Sequence, residues 1–115
     1  RQIVVPGGFS FREVAFFHGA SRTLILTDLV LNLEAAKMPA LLRPFLRLAR
    51  MTAPNGQPPP YLRLVIKLQR QAAAQAAAEL VALKPERVIF AHGLWFAGDA
   101  TARLSHALRW LGRFD

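Results

Sequence analysis

The chain has 115 residues, 53% of them hydrophobic, with 15 Lys and Arg against 7 Asp and Glu, three His and no cysteine. That length suggests one domain or part of one, with enough apolar residues for a core. The lack of cysteine excludes disulfides and thiolate metal sites, and no run reaches the roughly 18 apolar residues that a membrane-spanning helix needs. The net charge of +8 favours acidic partners. The arginines are scattered, however, with no basic run and no interleaved aromatics, so nucleic-acid binding is the weakest class and a solvated surface the default. A cysteine-free chain without a secretory signal fits a cytoplasmic protein. It begins on Arg1 and not on methionine, which reads as a fragment or a processed chain.

In chain order, Ile3–Val5 reads as a short strand closed by the turn Pro6-Gly7-Gly8. Glu13–His18 and Thr23–Asp28 are β-branched and aromatic runs joined across Gly19–Arg22, which predicts a β-hairpin. Leu41, Leu42, Phe45, Leu46, Leu48 and Ala49 then form an apolar stripe at helical spacing, with Arg43, Arg47 and Arg50 outside it. Pro39 suits a first helical turn, and Pro44 falls in that turn or kinks the segment. Residues 53–60, APNGQPPP, are a loop. Tyr61–Leu83 reads as one long helix with an alanine-rich end. Arg87–Ala91 is a fourth strand, and Ala100–Leu111 a last helix capped by Asp99. Strands and helices in this order predict a layered α/β fold with a mixed sheet, a β-hairpin and flanking helices.

Two of the predicted strands end on groups that carry chemistry. Asp28 closes TLILTD, and His92 follows VIFA and precedes Gly93. Active groups in α/β sheets gather where loops leave the strands, and a carboxylate with a neutral imidazole suits zinc, manganese or iron. Two ligands fall short of the three that a catalytic zinc site usually has. A turn acid before Asn32 and a satisfied core histidine are the structural alternatives. His18 is excluded as a third ligand by the hairpin: it lies near Thr23, and five residues at about 3.3 Å each set it roughly 16 Å from Asp28. Glu13 lies opposite Asp28 and can approach it. His106 reads as surface or helix packing, and Trp95 and Phe96 as core or pocket wall. Neither a G-x-S-x-G nucleophile turn, a P-loop nor a dinucleotide glycine pattern is present.

The phrases SRTLILTD and PERVIFAHG, set among these elements, resemble the C-terminal half of the metallo-β-lactamase-like superfamily. The likeness is to a branch that is a domain of unknown function found in bacteria and plants, and it covers nearly the whole chain. It implies half of an αββα sandwich over residues 1–115, with a metal site at the edge between two sheets. Asp28 matches the acid that bridges two metals, and His92 the histidine that binds the second. The implied activity is that of a metal-dependent hydrolase, acting on an ester or phosphoester with zinc, manganese or iron. The alternative is a non-catalytic relative serving as a binding or scaffold module. Two departures matter. The histidine-rich motif of the N-terminal half is not in this chain, and Gly8 stands where a histidine usually follows Pro-Gly. One metal, a different metal or none are therefore all open. Half a sandwich also leaves a sheet face bare, which predicts that the chain needs the missing half or pairs with itself.

Overall fold

The computed structural model describes residues 1–114. Four strands, β1 (Gln2–Pro6), β2 (Arg12–His18), β3 (Thr23–Ile25) and β4 (Arg87–Ile89), form one mixed sheet in the order β1-β2-β3-β4. Four helices accompany them: α1 (Arg43–Leu48), α2 (Pro60–Lys67), α3 (Arg70–Ala82) and α4 (Ala100–Ala107). No helix among the described residues is long and apolar enough to cross a membrane.

The hairpin has the register that the sequence predicts, with His18 opposite Thr23 and Phe16 opposite Ile25. β1 and β2 are also antiparallel, whereas β3 and β4 are parallel. A parallel pair needs a crossover, and residues 26–86 supply it with all of α1, α2 and α3.

Strand alternation sorts the side chains onto two faces. Ile3, Val5, Ala15, Leu24 and Val88 point to one face and are buried with Ala73, Ala77, Leu80 and Leu104 from the helices. The alanines let α3 lie close against β1. The other face carries Val4, Phe16 and Ile25, which are 36%, 49% and 38% exposed. Val14 and Ile89 beside them are half-buried. The helices thus cover one side of the sheet only.

Five expectations need correction. β3 ends at Ile25 and β4 at Ile89, so neither Asp28 nor His92 belongs to a strand. The long helix is two, α2 and α3, broken at Leu68–Gln69. The Val65 carbonyl, which an unbroken helix would offer to Gln69, instead accepts Gly8 N–H at 2.7 Å. Gln69 N–H turns to Ile66 O at 3.0 Å. The last helix stops at Ala107, and Asp99 does not cap it through its side chain, because its backbone is left-handed (φ 50°). Finally, α1 buries none of its stripe: Leu41, Phe45 and Leu48 lie in solvent. Arg43 is turned back on the chain instead, donating to Met38 O and Ala36 O.

The loop before α2 is tied to α4 by His106 Nε2 and Asn55 Oδ1, 3.1 Å apart. Burial first, and then the charge of Arg109, hold the His106 imidazole below its ordinary range.

Two predictions follow from this packing. In urea unfolding of the dilute chain, Leu80→Ala should cost about 2–5 kcal/mol, because it empties the covered face. Phe16→Ala, on the bare face, should cost less than about 1 kcal/mol. The second concerns pH. The unfolded chain takes up the His106 proton more readily than the folded one, so stability should fall as pH drops through 6.5 and level off below the depressed native value. His106→Gln should flatten that part of the curve of melting temperature against pH.

Candidate functional site

Because β3 and β4 are parallel, both chains leave the sheet at the same edge. The loops that follow stay joined. Leu26 N–H donates to Ile89 O at 2.9 Å, and Ala91 N–H lies 3.4 Å from Thr27 O. Further out, Leu94 N–H donates to Asn32 O at 3.0 Å, and Asn32 Nδ2 returns a bond to Leu94 O at 2.9 Å. The second loop is closed at its base by paired bonds between Val88 and Phe96, of 2.9 and 3.0 Å. His92 is therefore near the tip of a short closed loop.

Gly93 makes this closeness possible. Its φ is +91°, and a Cβ there would lie 1.6 Å from Leu31 O. Any side chain at 93 would force the two loops apart.

Glu13 fixes the other loop. It is buried, and its Oε1 accepts Thr27 N–H at 2.9 Å, Asp28 N–H at 3.0 Å and the Thr27 hydroxyl. The acid thus reaches the Asp28 backbone, as the hairpin geometry suggested. It serves as an anchor and leaves the Asp28 side chain free to face solvent.

Asp28 and His92 line the same cavity, of about 330 Å³, with Phe11, Leu31, Pro59, Tyr61 and Leu62 forming the rest of its wall. Both residues are exposed. Among the described residues neither side chain has a hydrogen-bonding or charged partner. His92 is thus not a satisfied core histidine. Nothing in the sequence pointed to Tyr61, which reaches this wall because the three prolines at 58–60 start α2 beside it. A larger cavity of about 680 Å³ beside α4 holds Glu86 and Asp99 but no histidine.

The donor set at the smaller cavity, one carboxylate and one imidazole, fits part of a zinc-type site. No group of three or more His, Cys, Asp or Glu able to hold a metal occurs among the described residues. His18 stays with its turn, its Nδ1 2.7 Å from Ser21 Oγ. Phe96 is core, edge-on to Phe90 at 5.3 Å between ring centres. Trp95 is 55% exposed, with its indole N–H on Phe90 O at 2.8 Å, and walls neither the core nor this cavity.

Both anchors can be tested. Glu13→Ala strands two backbone N–H groups and should cost about 1–3 kcal/mol per unpaired donor, with faster amide exchange at Thr27 and Asp28. Gly93→Ala should cost more than about 3 kcal/mol by denaturant unfolding, since it combines a clash with a left-handed backbone.

Comparison with protein-family models, with curated proteins and with solved structures finds no match to this chain.

Proposed function

We propose that the chain is one half of a metal-dependent, hydrolase-like centre, with Asp28 and His92 as two of its ligands. The observation that carries this reading is that both side chains, unpartnered and exposed, meet at one cavity where two adjacent parallel strands end. Carboxylate and imidazole are ligand types of catalytic zinc sites. When bound, such a metal supplies Lewis acidity toward water and toward an ester or phosphoester. The chain's own part is to orient. Glu13 holds the Asp28 backbone, the close fit of Gly93 against Leu31 holds the His92 loop, and Tyr61 brings a phenol to the rim.

The remaining ligands would come from a second layer covering the sheet face that bears Val4, Phe16 and Ile25. In the metallo-β-lactamase-like sandwich that the sequence resembles, this layer is the N-terminal half, and a second copy of the chain is the other candidate. Zinc, manganese and iron all suit the donors.

One observation favours the competing reading, a non-catalytic binding or scaffold module. Gly8 stands where the resembled family places a histidine, and a Cβ at Gly8 would lie 2.4 Å from Leu68 Cδ1. A ligand side chain there would first have to displace Leu68.

Zinc titration of the folded chain by calorimetry separates the two readings. The metal reading expects weak zinc binding, as two ligands alone can give, with Asp28→Ala and His92→Ala each weakening it by roughly tenfold or more while His18→Ala does not. Zinc binding that survives both substitutions, or no zinc binding in a chain that remains folded, leaves the scaffold reading.

A further inference from the structure

We propose a second ligand site, for the phosphate or pyrophosphate group of a small phosphorylated molecule. It is the cavity of about 520 Å³ lined by Arg50, Gln57, Arg63, Arg109, Trp110 and Arg113. That volume lies within the range of small-molecule sites, about 300–1,000 Å³. It shares no lining residue with the Asp28–His92 cavity, and the proposal does not depend on a metal there.

The first argument is charge. Four arginines line one cavity, and among the described residues no carboxylate does. The two ion pairs among the described residues, Arg1–Glu79 and Lys37–Glu34, lie elsewhere. Like charges held close together are unfavourable. Burial and the nearby Arg50 both hold the Arg63 guanidinium below its ordinary range. Lys67 adds a further cation, 6.0 Å from the centre of the Trp110 ring. An anion relieves this repulsion.

The second argument is hydrogen bonding. Arg63 already holds two partners of its own chain: Nη1 donates to Gln57 Oε1 at 2.5 Å and Nη2 to Ala49 O at 2.7 Å. Its Nε–H and the Trp110 indole N–H are buried with no acceptor among the described residues. Buried donors are nearly always paired, and two orphans in one wall call for a ligand rich in acceptors. Both are closed to solvent, so they gain a partner only as the wall adjusts around that ligand. A phosphate offers oxygens that only accept, carries the required charge, and matches the planar fork of arginine.

The shape favours a small ligand over nucleic acid. Backbone-binding proteins spread their cations in a stripe or along a groove. Here four line one cavity, which Arg12 and Arg70 do not share.

The test is calorimetric titration of the whole chain with inorganic pyrophosphate at physiological salt. Arg109 and Arg113 are exposed and can be changed without touching the bonds of Arg63. The proposal expects saturable binding, weakened at least tenfold in the Arg109→Gln/Arg113→Gln double variant. The Arg12→Gln/Arg70→Gln variant, which loses the same charge away from the cavity, should stay within twofold of wild type. Equal weakening in both variants reduces the effect to diffuse charge and overturns the proposal, as does a failure to bind pyrophosphate. It is overturned too if a single-stranded oligonucleotide binds with steep salt dependence where pyrophosphate does not.

Discussion

The Glu13 side chain is a carboxyl group inside an apolar layer with no cation beside it among the described residues. Burying such a group is costly unless donors surround it. Thr27 and Asp28 provide three, all on one oxygen. This ties the open end of the hairpin, at the start of β2, to the exit of β3. Once that exit is fixed, Leu26 can extend the ladder to Ile89, and the loop from β4 has a surface to close against. Gly93 then lets the second loop approach to a distance that no other residue allows. Asp28 and His92 become neighbours as a consequence of these contacts, although their own side chains make none of them.

Much of this was legible before any coordinates. Alternating Val and Phe around a Gly-Ala-Ser-Arg turn specified the hairpin and its register, and the register alone removed His18 from the site. Asp28 and His92 stood out because each follows an apolar run, although the strands stop short of both, at Ile25 and Ile89. What the sequence concealed was long-range. The split between α2 and α3 lies in a stretch of good helix formers, where propensity gives no warning. It arises because Gly8, nearly sixty residues earlier, takes the Val65 carbonyl. Tertiary hydrogen bonding overrides a local preference there.

The arginines show the same limit from another side. Arg43, Arg47 and Arg50 stand at helical spacing outside the apolar stripe in the sequence. The structure disperses them: Arg43 folds back on carbonyls of its own segment, and only Arg50 reaches a cavity with other arginines. The partners it finds there come from α2 and from the chain after α4. Periodicity reports what one helix presents, not what three separate segments bring together.

The apolar surface left uncovered gives the architecture its direction. Val4, Phe16 and Ile25 lie on a sheet face without a layer, and Leu41, Phe45 and Leu48 make a second apolar surface on α1. A soluble chain seldom exposes contiguous apolar patches without a use for them. The α1 stripe has the regular spacing of a packed helix, but among the described residues nothing is packed on it. The sheet face has the same property at period two. Both patterns make sense if the covered core of this chain is one layer of a larger assembly. In that case the cavity holding Asp28 and His92, at an edge of the sheet, stands where a second layer can add the donors this one lacks.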